Sequence, residues 1–170
     1  NKRINILDIG TGSGCILISL LKELKNSRGI GIDISKKTLQ IAKENSKKIG
    51  ICNRTKFIFS SVDTLNLGKY DLIISNPPYI SINSLKKLNK EITEHEPLSA
   101  LNGGIDGLDL IKKIIYKSIR LLKLNGLLAI EIGNSQYPEV SRLMEKNGYR
   151  EVSKVVDFRQ NVRCIISTKK

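Results

Sequence analysis

The 170-residue chain holds one histidine, His95, and three cysteines, Cys15, Cys52 and Cys164, that share no metal-type spacing. A histidine-based zinc centre or a histidine-dependent triad has little material to draw on. Three scattered thiols predict a reduced, cytoplasmic chain rather than a disulfide framework. No apolar stretch reaches the roughly 20 residues a membrane span needs, and no secretory signal pattern opens the chain. Acidic residues are few: 16 Asp and Glu against 29 Lys and Arg leave a net charge of +13. Such a surface favours acidic partners, including nucleic acid. The lysines nevertheless scatter over predicted helix faces (Lys36, Lys37, Lys43, Lys47, Lys48) and form no dense block. Proline is rare, four in all, yet two are adjacent at Pro77 and Pro78.

What is present is a soluble, single-domain composition, 40% hydrophobic and 26% charged, long enough to bury one core without staples. Strand and helix patterns alternate. Ile4 to Ile9 reads as a buried strand, followed by a helix with Ile16, Leu17, Leu20, Leu21 and Leu24 on one face. Gly29 to Asp33 is a second strand, and Ser35 N-caps a helix that Gly50 stops. Lys56 to Ser60 and Asp71 to Ser75 are further strands. From Asn76 to about Gly107 periodicity is weak, with a turn or two of helix expected over Leu85 to Ile92. Leu108 to Leu122 keeps helical spacing, and Asn125-Gly126 is expected to end that helix. Leu127 to Ile132 is a fifth strand, and the next helix stops at Asn147-Gly148. Tyr149 to Val156 and Val162 to Thr168 are joined too tightly for a parallel crossover, so they should pair antiparallel. The order predicts an α/β fold: a doubly wound, mostly parallel seven-stranded Rossmann-like sheet with an antiparallel last pair. The chain begins directly on its first strand and is expected to be part of something longer.

"LDIGTGSGC" sets Gly10, Thr11, Gly12, Ser13 and Gly14 between the first strand and its helix. Glycines there permit a tight turn and let a ligand approach bare backbone at a helix N-terminus. Nineteen residues beyond Gly14, Asp33 ends the second strand, where a carboxylate can accept hydrogen bonds from both hydroxyls of a ribose. The spacing is G-x-G-x-G, not the G-x-G-x-x-G of dinucleotide folds, which suits a smaller nucleoside ligand with an amino-acid tail. After the third strand, Asp63 is placed to reach an adenine amino group, with the Thr64 backbone beside it.

The fourth strand runs into Asn76-Pro77-Pro78-Tyr79. Each proline keeps the residue before it out of the α region, so the segment is stiff and extended. It offers two fixed acceptors, the Asn76 side-chain oxygen and the Pro77 carbonyl. Two convergent acceptors match an –NH2 group on an sp² carbon, an amide or the exocyclic amine of a base. Tyr79 can lie against that planar group and present a π face to a cationic methyl donor. Stacking needs only the ring, so phenylalanine is expected to serve there.

The glycine loop, Asp33 and Asn76-Pro77-Pro78-Tyr79 together resemble a class I S-adenosylmethionine-dependent methyltransferase acting on planar –NH2 nitrogens. Within that class, "EPLSALNGGIDGLDLI" (96 to 111), "GLLAIEIGNSQ" (126 to 136) and "DFRQNVRC" (157 to 164) resemble the protein-(glutamine-N5) methyltransferases of peptide chain release factors. The resemblance covers nearly the whole chain. It implies a catalytic domain over 1–170, with the family's N-terminal helical substrate-binding domain absent. It further implies S-adenosylmethionine as cofactor and the glutamine of the Gly-Gly-Gln motif of class 1 release factors as acceptor. Asn76, Pro77 and Tyr79 would be catalytic, and Asn76 to Tyr79 would hold the substrate. No membrane partner is expected, and nucleic acid is not the expected substrate. An N6-adenine DNA or RNA methyltransferase is the alternative, since it would use the same acceptor pair. His95, Glu94 and Glu96 read as solvated loop residues.

Overall fold

The computed structural model describes residues 3–66, 68–86 and 101–170. Seven strands form one sheet: β1 Asn5–Ile9, β2 Arg28–Asp33, β3 Thr55–Phe59, β4 Tyr70–Ser75, β5 Leu122–Glu131, β6 Tyr149–Val156 and β7 Val162–Lys169. Their spatial order is β3-β2-β1-β4-β5-β7-β6. All pairs are parallel except β5 with β7 and β7 with β6, the expected antiparallel end. Among the described residues the α-helices are α1 Cys15–Glu23, α2 Lys36–Lys48, the short α3 Ile82–Leu85, α4 Asp109–Leu121 and α5 Tyr137–Lys146.

Side chains alternate across β1. Leu7 and Ile9 join one large core with Ile111, Ile114 and Ile115 of α4 and Val140 and Met144 of α5. Ile6 turns to the other face, against Leu17, Ile18 and Leu21 of α1. The apolar stripe of α1 is thus Leu17, Ile18 and Leu21, whereas Ile16 and Leu24 are 41% and 37% exposed. Leu17, Leu20 and Leu21 of the expected face pack inward, joined by Ile18 in place of Ile16 and Leu24, and Leu17 and Leu21 lie against Gly29 of β2. A Cβ on Gly29 would come within 2.4 Å of Leu17 Cδ1 and 3.1 Å of Leu21 Cδ1.

The end of α4 departs from the sequence expectation. The helix stops at Leu121 and the chain enters β5 at once, with Leu122 extended at φ −75° and ψ 143°. Lysines cap the exit: Lys69 Nζ donates to the Arg120 carbonyl at 2.6 Å, and Lys169 Nζ to those of Ile119 and Leu122 at 2.7 and 3.3 Å. Asn125-Gly126 instead lies inside β5, with Asn125 at φ 59°, where the register jumps from Tyr70–Leu122 to Leu72–Leu127. Turn residues there make a bulge, not a helix stop. The helical expectation over Leu85 to Ile92 lies mostly outside the described residues; Ile82–Leu85 is a single turn capped by Ser81.

Register sets the site. Ile9 pairs with Ile32 and Ser75, and Ser75 with Ile130. Gly10, Asp33, Asn76 and Glu131 therefore leave four neighbouring strands at one level. Gly31 shows how tightly this edge is packed: a Cβ there would lie 2.7 Å from Thr11 Oγ1 and 2.9 Å from Phe57 Cδ1. Gly31→Ala is expected to destabilise the fold by about 1–3 kcal/mol, the usual cost of overpacking. Urea titration checks this, and an unchanged midpoint would show that the neighbours yield freely.

Candidate functional site

The glycine loop is an open cradle. Gly10, Gly12 and Gly14 have φ of 71°, 55° and 80°, conformations that other L-residues adopt only with strain. A Cβ added to Gly10 or Gly12 would meet nothing within 4 Å, so the loop presents bare backbone to open space. Gly14 differs: its Cβ would press on Ile18, Ala42 and Phe57 at 3.0 to 3.3 Å. Packing of α1 on α2 and β3 therefore demands that glycine. The loop is anchored by its own neighbours. The amides of Gly10 and Thr11 donate to the Ile32 carbonyl at 2.9 Å, and Asn45 Nδ2 holds the Ser13 carbonyl at 3.0 Å.

Asp33 accepts the Gly12 amide on Oδ2 at 2.9 Å and the Ser35 amide on Oδ1 at 2.8 Å. A carboxylate offers about four lone-pair sites, so one on each oxygen remains for a vicinal diol. Ile34, 66% exposed directly beyond it, adds an apolar surface to the same rim. Asp63 is committed elsewhere. Its carboxylate pairs with Lys113 of α4 at 2.9 Å, and its carbonyl accepts from Lys117 at 3.1 Å. Both side chains of the Asp63–Lys113 pair are more than half exposed, and such a pair is worth little. A base amine would have to displace Lys113 there. Thr64 folds its hydroxyl back onto the Ser60 hydroxyl, at 3.0 Å, and the Ser61 carbonyl, at 3.2 Å.

Beyond β4, Asn76 is exposed and Pro77 buried, and Ser75 Oγ ties the strand end to the Ile9 carbonyl at 2.7 Å. The Asn76 side chain makes no hydrogen bond among the described residues, leaving its acceptor free. Tyr79 is half-buried and held at both ends. Its hydroxyl accepts from Arg163 Nη2 at 2.9 Å and donates to Glu131 Oε1 at 3.4 Å. Its carbonyl accepts from Gln136 Nε2 at 3.0 Å. Gln136 also donates to the Gly107 carbonyl at 3.2 Å and accepts the Gly133 amide at 2.8 Å. Gly107 sits at φ 77°, and a Cβ there would lie 2.4 Å from the Tyr79 carbonyl oxygen. The three stretches distant in sequence, around Gly107, Glu131 to Gln136 and Arg163, thus meet at one tyrosine. His95, Glu94 and Glu96 lie outside the described residues.

A profile for a methyltransferase domain matches residues 1–168. The chain belongs to this methyltransferase family. A release factor glutamine methyltransferase of Agrobacterium fabrum is 38% identical over 160 residues, 94% of this chain and 55% of that protein. One from Fusobacterium nucleatum is 42% identical over 167 residues, 97% of this chain and 47% of that protein. The chain therefore spans about half the length of these curated relatives. A ribosomal protein L11 methylase from Lactobacillus delbrueckii subsp. bulgaricus superposes with a TM-score of 0.70 at 20% identity, covering 99% of this chain and 72% of that one. The seven-stranded sheet with its antiparallel last pair is the class I methyltransferase fold of its structural neighbours.

Sequence reasoning missed Asp8. It points from β1 toward α1, on the face shared with Ile6, and is 1% exposed. Thr11 Oγ1 donates to its Oδ2 at 2.7 Å. Burial raises its pKa to about 6; the Thr11 hydroxyl and the Leu17 amide compensate only in part, and nearby Asp33 raises it further. Its Oδ1 meets no donor at full hydrogen-bond geometry. The signal in the sequence was an acid in an otherwise apolar strand. Between its unfolded value of 3.8 and about 6, the folded chain keeps a proton that the unfolded chain has lost. Stability should therefore fall as pH rises through that window, by about 3 kcal/mol in total, and level off above it. Asp8→Asn should lack this slope and gain on the wild type as pH rises. Urea titrations at about pH 4, 5.5 and 7 measure the difference, and parallel stability curves would show that Asp8 ionises as an ordinary carboxyl.

Proposed function

We propose that residues 1–170 form the catalytic domain of a cytoplasmic protein-glutamine methyltransferase. It takes S-adenosylmethionine as cofactor and methylates the glutamine side-chain nitrogen in the Gly-Gly-Gln motif of class 1 release factors. The observation that carries this reading is the free, exposed Asn76 acceptor on a rigid diproline, level with the glycine cradle and Asp33. The open backbone of Gly10 and Gly12 and the two remaining acceptor sites of Asp33 fit a nucleoside with an amino-acid tail. Thr11, Ser13 and Gly14 complete that loop, and Asp63 and Thr64 would flank the base. The bound cofactor supplies a methyl group on an electrophilic sulfonium.

The residues of the chain then act by position. A glutamine amide nitrogen is a weak nucleophile, because its lone pair is shared with the carbonyl. Asn76 Oδ1 and the Pro77 carbonyl would accept its two N–H bonds and leave its out-of-plane face open. Those bonds strengthen as positive charge grows on nitrogen, so they favour the transition state over the ground state. Pro78 keeps the Pro77 carbonyl aimed, and Tyr79 flanks the planar group. The proton leaves afterwards to water or a carbonyl. Ile82, Ile105 and Phe158, 38%, 81% and 106% exposed, lie in segments following the carboxyl ends of the strands.

Asn76→Ala should lower kcat and kcat/KM together by about 10² or more, with little change in melting temperature. A loss of stability large enough to account for the inactivity would make Asn76 structural. Asp33→Ala should weaken cofactor binding by about 1.5–3 kcal/mol in calorimetry, with Asp33→Asn between the two because it keeps one acceptor. The decisive experiment incubates the protein with labelled S-adenosylmethionine and either a class 1 release factor or DNA. Peptide mapping should find the label on the glutamine of Gly-Gly-Gln. Label on adenine would assign the chain to the N6-adenine enzymes, toward which its net charge of +13 leans.

A further inference from the structure

We propose that Arg163 is a positioning residue that sets the plane of the Tyr79 ring through the phenolic hydroxyl. The inference rests on the methyl-transfer reading for its kinetic consequence, and on geometry alone for the rest. Arg163 comes from the start of β7, Tyr79 from the segment after β4, and Glu131 from the end of β5. Glu131 pairs across the sheet with Cys164, so the antiparallel β7 delivers Arg163 beside the level where Asn76 leaves β4.

The hydroxyl of Tyr79 uses both of its hydrogen-bonding roles. It accepts from Arg163 Nη2 at 2.9 Å and donates to Glu131 Oε1 at 3.4 Å. Arg163 is itself fixed: Nη1 donates to Asn134 Oδ1 at 2.8 Å, and Nη2 lies 3.7 Å from Glu131 Oε1. Both charged side chains are only about one-third exposed, 28% for Arg163 and 35% for Glu131. The pair is therefore less screened than a surface ion pair. The guanidinium carbon is 5.4 Å from the ring centroid, within cation–π range of the ring. At the other end Gln136 holds the Tyr79 carbonyl. A ring clamped at its backbone and at its para oxygen has one orientation; freed of the outer clamp, it can swing about χ1 and χ2. The planar fork of Arg163 reaches two acceptors at once, which a lysine cannot reproduce.

On this proposal the hydroxyl is a functional group, against the sequence expectation that the ring alone would serve. Four proteins test this: Arg163→Ala, Arg163→Lys, Tyr79→Phe and the double variant Arg163→Ala/Tyr79→Phe. Methyl transfer to release factor should fall about tenfold or more in kcat for Arg163→Ala and for Tyr79→Phe, the scale of one lost oriented hydrogen bond. KM for the cofactor should stay unchanged and Arg163→Lys should recover only part of the rate. The double variant should be no slower than either single one, because both remove the same contact. Losses that multiply, or a kcat that survives Arg163→Ala, would overturn the proposal. A second readout needs no acceptor. In protein labelled with ¹³C-tyrosine, the Tyr79 ring signals, assigned by their loss in Tyr79→Phe, should shift and broaden in Arg163→Ala. Unaltered Tyr79 signals would overturn the positioning role. If those signals respond while the wild type leaves release factor unmethylated, positioning stands and the substrate reading fails.

Discussion

Parallel strands slipped by one residue turn over every side chain they carry, and the register of β1 between β2 and β4 is the constraint on which this molecule depends. Ile9 faces Ile32 on one side and Ser75 on the other. Ser75 adds a buried side-chain bond to the Ile9 carbonyl, locking the two strand ends that matter most. From that one alignment follow the level of Gly10 with Asp33, the level of both with Asn76, and the arrival of Glu131 one strand further. No loop has to search for these residues; the sheet presents them together. Side chains that the helices bury below, such as Leu17, Ile73 and Ile115, hold the register by giving each face a partner it cannot exchange.

Much of this was legible in the chain because the relevant signals are local. Seven strand patterns, glycines in a strand-to-helix turn, a diproline and a five-residue hairpin each report on neighbours in sequence. The unread parts are those that depend on distant partners. The stop of α4 at Leu121 is made by Lys69 and Lys169, about 50 residues away on each side, while the turn residues Asn125-Gly126 serve a bulge in β5. In α1, Leu17, Leu20 and Leu21 pack as the spacing indicated, while the burial of Ile18 in place of Ile16 depends on neighbouring elements. In the candidate site, Asn76, Asp33 and the glycine loop could be picked out from the sequence, and the register sets them at one level. Asp8, an acid in an apolar strand, and Gln136 and Arg163, inside the 126 to 136 and 157 to 164 stretches, were in view without a role, because their partners Thr11 and Tyr79 appear only in the fold. Asp63 shows the converse: its position in the chain suggested a reach toward an adenine amino group, and only the structure reveals Lys113 across from it.

The excess of positive charge also looks different once partners are visible. Several cations are structural ties, with Lys69, Lys169 and Arg54 holding backbone carbonyls and Arg163 holding Tyr79. Lys113, Lys117 and Lys112 line α4 and reach Asp63, Asn66 and Asp106. Charge that is spent inside hydrogen bonds contributes to the surface field but is not free to recognise a second molecule. The count of +13 therefore overstates the part of the surface that could read an anionic partner, and it weighs less than the geometry around Asn76.

The bond from the Gly12 amide to Asp33 has a consequence for the timing of ligand exchange. It links the loop after β1 to the end of β2 through two groups of the protein itself, and the Asn45 and Ile32 bonds close the remaining freedom. A cradle knotted in this way keeps its shape between occupants. A visiting molecule does not have to order the loop on arrival, and a departing one does not have to melt it. Were a ligand to occupy this cradle, its residence would depend chiefly on its own contacts, since the loop's internal bonds are already made.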